Sequence, residues 1–345
     1  MKEIGLDFKH HGCSPLLSPP SSLFRCKTLE SLVLGKGLRY ELLDNFEIRL
    51  PSLRKLYIGL CSDNRSFTQK LVMSCPVLEA LWVSGLSSDA HSLYIQITTK
   101  NLKRLRLSSM RHDLIARIDT PKLEHFHVEG SPRLLKCYFA KPPRFLVEAK
   151  LFVGSEANAV PSWTWELLES VYRVKTLSFP CEILPPFCYT TVIHEKVFHS
   201  LTKLKIELKF SNCWIPLMRF LLDCFSLQEL VIRRSGQSKW GDLNWSQIGC
   251  RLPICLSTNV KSIRMQNLRG EKSELGLISF LLSIANVLET LDVSVVDTEN
   301  KGKELGFLGH CWCFLEALRI VRLISLANTA DMKTKDLDAC IECLS

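Results

Sequence analysis

A chain of 345 residues with 46% apolar and 23% charged residues has the make-up of a folded globular protein, which excludes disorder over most of its length. Its net charge of +9 comes from 44 Lys and Arg interleaved with 35 Asp and Glu, so no block resembles a nucleic-acid-binding tail. No aliphatic stretch reaches the ~20 residues of a membrane span, and the opening MKEIGLDFKHHGC has no apolar core of the kind a secretory signal needs.

Leucine is the unusual component, at 58 residues, and an excess of one branched aliphatic points to one kind of core position used many times. Taken in chain order, KEIGLDF from Lys2 already reads as a strand. A motif L-x-x-L-x-L, with other apolar residues substituting, then begins at Leu29, Leu53, Leu78, Leu102, Leu123, Leu146, Val174, Leu201, Leu227, Val260, Leu288 and Leu315. The intervals run from 21 to 33 residues, close to the roughly 20 to 29 of leucine-rich repeats.

The end of each copy alternates, as in Ser31-Leu32-Val33-Leu34, so a short strand is predicted with Leu32 and Leu34 inward and Ser31 and Val33 outward. One turn cannot bury its own apolar face, so the turns are expected to stack. The predicted fold is α/β: a leucine-rich-repeat solenoid over 1–345, with a curved parallel sheet on the concave face and helices plus some extended segments on the convex face. Between strands, Phe67 to Pro76 and Ile215 to Phe225 have the period of short amphipathic helices, whereas Ser92 to Thr98 and Leu134 to Ala140 read as extended returns. Trp163 and Trp165 precede a helical pattern and are expected to pack against it.

Catalytic and metal signatures are weak. No phosphate-binding glycine loop, G-x-S-x-G elbow or H-E-x-x-H helix occurs. His194-Glu195 followed by His199 puts the imidazoles on different helical faces; Cys311-x-Cys313 with Cys340-x-x-Cys343 flanks a repeat strand, and His10, His11 and Cys13 lie in a Ser/Pro-rich loop. No enzyme activity, metal or cofactor is therefore expected. Fifteen cysteines, an odd number spread along the chain, fit reduced thiols in cytosol or nucleus. Cys26, Cys75 and Cys224 each precede a repeat by three residues and read as small buried hydrophobes.

On stacked strands the outward positions align about 4.8 Å apart. The central outward position reads Tyr57, Trp82, Arg106, His127 and Lys150 on successive turns, flanked by Lys55, Arg104 and His125. Aromatics beside cations on a preformed surface are the make-up of protein-binding hot spots, so a target protein, and an acidic or phosphorylated segment in particular, is expected there. Trp240, in the insertion SGQSKWGDLNW that lengthens one interval to 33 residues, is a further candidate contact.

Three stretches resemble the plant F-box proteins with leucine-rich repeats and a C-terminal FBD segment. They are LLSPPSSLFRCKTLESLVL from Leu16, the units CPVLEALWVSGL from Cys75 and TPKLEHFHVEG from Thr120, and PICLSTNVKSIRMQNLRGEKSELGLISFLLSIANVLETLDV from Pro253. The last is similar to the FBD segment, placed here at 253–297, with a C-L-x-x-x-V-K strand, a turn at Gly270, a helix and an A-x-x-L-E-x-L strand; 298–345 would be a C-terminal repeat and tail. The family's F-box, which docks a Skp-type adaptor of a cullin-RING ubiquitin ligase, is not present in this chain. The resemblance thus implies the substrate-recognition half of a ligase receptor, non-catalytic and cytoplasmic or nuclear, with adaptor and cullin as partners only through an upstream F-box, and no nucleic-acid or membrane partner. The alternative is an adaptor-free binding or decoy protein that has lost its ligase link.

Overall fold

In each of the eleven copies from Leu29 to Leu288, the strand starts two residues after the first apolar position, so the motif sets the phase of every turn. The computed structural model describes residues 2–6, 18–35, 38, 47–60, 65–85, 93–109, 114–131, 133–153, 161–184, 197–209, 213–236 and 252–296. The twelfth copy, at Leu315, and the tail lie outside them. The chain divides into two compact units, Met1–Lys175 and Thr176–Ser345, a boundary inside the expected repeat array.

In the first unit the strands are β1 (Glu3–Leu6), β2 (Ser31–Leu34), β3 (Lys55–Leu60), β4 (Ala80–Gly85), β5 (Leu93–Ile97), β6 (Arg104–Ser109), β7 (Leu114–Ile118), β8 (His125–Gly130), β9 (Leu135–Phe139) and β10 (Glu148–Val153). The main sheet pairs β1-β2-β3-β4-β6-β8-β10, all parallel. In β2, Leu32 and Leu34 are buried and Ser31 and Val33 half-buried, as the alternation predicts. The leucines that open the copies, such as Leu29, Leu53, Leu78, Leu102 and Leu123, are fully buried and fill the space between main sheet and return segments.

Those return segments are helical at α1 (Arg65–Met73) and α2 (Ser162–Ser170), where Trp163 is buried as expected. Between them the chain builds a second parallel sheet, β5-β7-β9. β5 and β9 form where the sequence reads as extended; β7, with Leu114, Ala116 and Ile118 alternately buried, is a strand that the sequence reading does not include. Phe126 of β8 meets Phe139 of β9 edge to face, with centroids 5.1 Å apart, and joins the two layers. The free edge of β5 is closed by Gln69 of α1. Its side-chain amide donates to the Gln96 carbonyl at 2.8 Å and its side-chain oxygen accepts the Gln96 N–H at 2.9 Å, the bonds a further strand would make.

Strand entries are tied by a polar ladder. Ser52 Oγ donates to Lys27 O at 2.7 Å, Asn101 Nδ2 to Pro76 O at 3.0 Å, and Asn259, in the second unit, to Phe225 O. Each bond links the residue before one copy to the turn before it, giving an exposed carbonyl at the sheet margin a partner within the chain. At the other margin a Cβ on Gly130 would lie 2.2 Å from Ser109 O, so β8 can approach β6 there only with glycine.

The second unit carries β11 (Thr176–Pro180), β12 (Lys203–Leu208), β13 (Glu229–Arg234), β14 (Ser262–Leu268) and β15 (Thr290–Val295), paired in sequence order and parallel. Helices α3 (Trp214–Leu221), α4 (Ile254–Thr258) and α5 (Lys272–Ile284) form its returns. Cys255 and Leu256, expected to lead into a strand, sit in α4, and the strand begins only at Ser262. A turn of helix fits because both side chains are buried on one side of it while Ile254 stays exposed.

The start of α5 is built around buried charge. Glu274 Oε2 accepts the N–H groups of Glu271 and Arg269, both at 2.9 Å, closing a capping box. Arg234, at the end of β13, reaches the same turn with Nη1 2.5 Å from Glu274 and Nη2 2.9 Å from Glu271. Two repeats are thereby locked through a guanidinium whose side chain is 1% exposed.

Cys75 and Cys224 are buried free thiols, as the repeat reading expects, whereas Cys26, expected to be buried with them, is only half-buried; Cys137 and Cys255, outside that reading, are buried free thiols too. Cys75 and Cys224 donate to the carbonyls four residues earlier, Leu71 O and Phe220 O. Cys181 and Cys213 depart from the expectation of reduced thiols. They are joined by a disulfide, with Cα atoms 5.9 Å apart, which ties the turn after β11 to the start of α3.

Candidate protein-binding site

The outward face of the first unit's main sheet brings together six of the seven predicted contact residues. Tyr57 pairs with Trp82, Trp82 with Arg106, Arg106 with His127 and His127 with Lys150, so the predicted column is one continuous row in register. A second row, two residues earlier on each strand, reads Ser31, Lys55, Ala80, Arg104, His125 and Glu148. The third reads Gly59, Ser84, Ser108, Glu129 and Phe152. Trp240 lies outside the described residues.

The rows are not electrically uniform. Arg106 Nη2 donates to Glu129 at 2.8 Å, and the same carboxylate oxygen is 3.7 Å from His127 Nε2. Glu148 receives Lys150 Nζ at 2.9 Å and His125 Nδ1 at 3.3 Å. Two carboxylates therefore serve the whole β6–β10 end of the row. Burial, reinforced by the Arg106 charge, lowers the His127 pKa, and its ring stands edge-on to Phe152 at 5.8 Å. Partial burial opposes ionisation of Glu148, yet Lys150 and His125 outweigh it and hold its carboxyl below the usual range.

The β3–β4 end differs. Tyr57 and Trp82 lie side by side and half-buried, and Lys55 and Arg104, on the adjacent row, form no ion pair among the described residues. The small Ala80 separates those two cations and is itself buried among its neighbours. The leucine phase alone aligns Tyr57 to Lys150 in one row, but it does not tell which of the row's cations are already paired with acids. Glu129 stands two residues after His127, and Glu148 two before Lys150, so the period-2 rule that found the column also marks both carboxylates as its neighbours.

In the second unit the corresponding row is Ser178, Lys205, Val231, Arg264 and Asp292. Arg264 contacts Asp292 at 3.2 Å and Glu229 at 3.7 Å, and Ser178 and Val231 are buried, so little of this row is open. A cleft of about 410 Å³ at the ends of β13 and β14 holds Arg233, Arg234 and Arg269. Arg233 faces Glu207 at 3.5 Å and Arg234 is held by Glu271 and Glu274, which leaves the cleft little net positive charge. Among the described residues no group of three or more His, Cys, Asp or Glu could hold a metal, and no helix is long and apolar enough to cross a membrane. Of the weak metal motifs, only His199 lies among the described residues; its ring stacks on Phe225.

Residues 2–138, the turns that carry this row's aromatic end, match a family model described as "FBD-associated F-box protein At5g56370, LRR repeats". The chain is a homologue of the plant F-box/FBD/leucine-rich-repeat proteins. It is 26% identical over 308 residues to the FBD-associated F-box protein At5g60610 of Arabidopsis thaliana, covering 85% of this chain and 75% of that protein. The F-box/FBD/LRR-repeat protein At1g78750 is 24% identical over 301 residues, covering 82% and 63%, and the F-box/LRR-repeat protein At3g59200 is 28% identical over 363 residues, covering 90% and 66%. The chain thus spans about two thirds of the length of the latter two relatives. No solved structure matches it.

Proposed function

We propose that this chain is a non-catalytic protein-interaction module, the substrate-recognition part of an F-box-type ubiquitin-ligase receptor. Its target protein docks on the outward face of the first unit's main sheet, centred on Tyr57 and Trp82. The observation that carries this reading is the pairing of those two aromatics in register beside Lys55 and Arg104, cations with no carboxylate of their own. Rigid aromatics give contact area at low entropic cost, and unpaired cations add orientation and on-rate for an acidic or phosphorylated segment. The names of the relatives place them among F-box proteins, and the link to a Skp-type adaptor and a cullin runs through an F-box. Such a receptor works in cytoplasm or nucleus.

The test is affinity purification from plant extract of the tagged chain and of a Tyr57→Ala/Trp82→Ala variant, quantified by mass spectrometry. A set of proteins retained by the wild type and depleted at least fivefold from the variant, at unchanged melting temperature, is expected by analogy with interface hot spots. Identical protein sets would refute the site.

A further inference from the structure

The second sheet of the first unit has an outward face of its own. Register places Tyr94, Ile115 and Lys136 in one row and Gln96, Arg117 and Tyr138 in the next. Arg117 and Lys136 are exposed, and among the described residues neither forms an ion pair; Asp119, the acid nearest along β7, is exposed and pairs with neither. The two cations sit on adjacent strands one row apart, a diagonal of roughly 7 to 8 Å, which one carboxylate between them can bridge. Tyr94 and Tyr138 occupy opposite corners of the grid, and a hydrogen bond between their side chains raises the Tyr138 pKa. Tyr138 is nevertheless 38% exposed.

We infer that this outer sheet is a second docking surface, one that takes an acidic segment of a protein partner across its face. Charge complementarity selects the occupant: two uncompensated cations flanked by tyrosines, in a chain whose other sheet neutralises Arg106 and Lys150 with its own glutamates. The mode of docking follows from the edges. Gln69 already makes the backbone bonds of an added strand on β5, and α2 packs against β9, so the partner lies over the side chains and does not extend the sheet.

The experiment uses the full chain carrying Lys55→Glu/Arg104→Glu, which removes the free cations of the main sheet, and follows binding of fluorescein-labelled octaglutamate by anisotropy at low salt. Binding should persist in this background and weaken about tenfold or more when Arg117→Glu/Lys136→Glu is added. Arg117→Gln/Lys136→Gln, which introduces no repulsion and touches only exposed side chains, should give a smaller loss in the same direction. Absence of binding in the background, or an affinity within twofold after the outer-sheet reversal, would overturn the proposal. So would tighter binding of a single-stranded RNA dodecamer with the same dependence on Arg117 and Lys136, since that would make the surface a nucleic-acid site.

Discussion

Arg106 on β6 and Glu129 on β8 form an ion pair of 2.8 Å between neighbouring strands, and the pair changes what the outward row can do. A cation that would meet an incoming acidic group is already occupied, and its partner carboxylate also faces His127. Both side chains of the pair are more than a third exposed, so its contribution to stability is small while its effect on recognition is direct. Glu129→Gln is expected to change the free energy of unfolding by less than about 1 kcal/mol. It should also raise the affinity of the row for octaglutamate. Urea unfolding and fluorescence anisotropy check the two halves, and a variant that binds the peptide no better would show that Arg106 is not held back by Glu129.

The buried cluster at α5 should behave in the opposite way. Arg234→Met leaves Glu274, which is fully buried, and Glu271 without their cation, and should cost about 3–5 kcal/mol. Adding Glu274→Leu removes the most buried of the orphaned charges and should restore part of that loss. Denaturant melts of the two variants decide the matter: equal destabilisation would mean that the capping role of Glu274, and not its charge pairing, dominates.

Acidification should destabilise the first unit through His127. Burial and Arg106 hold its folded pKa below the ordinary value, so the unfolded chain takes up the proton first. Stability from this group is therefore full above about pH 6.5 and is lost progressively as the pH falls below that value. Glu129 and Glu148 oppose the shift and Lys150 adds to it. Comparing thermal melts at pH 7 and pH 5.5, the wild type should lose more than His127→Gln. Equal losses would place the sensitivity elsewhere.

The thiols should separate by environment. Burial pushes Cys75 up to about 12 and raises Cys137 and Cys224 as well, whereas the hydrogen bond to Thr28 lowers Cys26. Iodoacetamide at pH 8 followed by peptide mapping should alkylate Cys26 within the native protein and leave Cys75, Cys137 and Cys224 unmodified until denaturant is added. Early labelling of Cys75 would indicate that α1 opens readily.

Much of this was legible in the sequence because a leucine-rich turn is local. Leu29, Leu32 and Leu34 declare the strand, its inward side and its phase within six residues, and the same signal repeats at Leu53 and Leu78. The row from Tyr57 to Lys150 followed from that phase alone. What escaped depends on neighbours distant in sequence. Whether Arg106 is free is decided by Glu129 on the next strand. Whether the DLIARID stretch becomes β7 depends on having β5 and β9 on either side to pair with it. The Cys181–Cys213 bond joins residues 32 positions apart, in a chain where cysteine usage suggested only free thiols.

The most direct measurement is the dissociation constant, by titration calorimetry, of a target captured through the wild-type chain, determined for wild type, Tyr57→Ala/Trp82→Ala and the second-unit control Lys205→Ala. Docking on the first unit's main sheet predicts at least about a 30-fold loss for the double variant and no change for the control. Affinities within twofold of each other for all three proteins would contradict it.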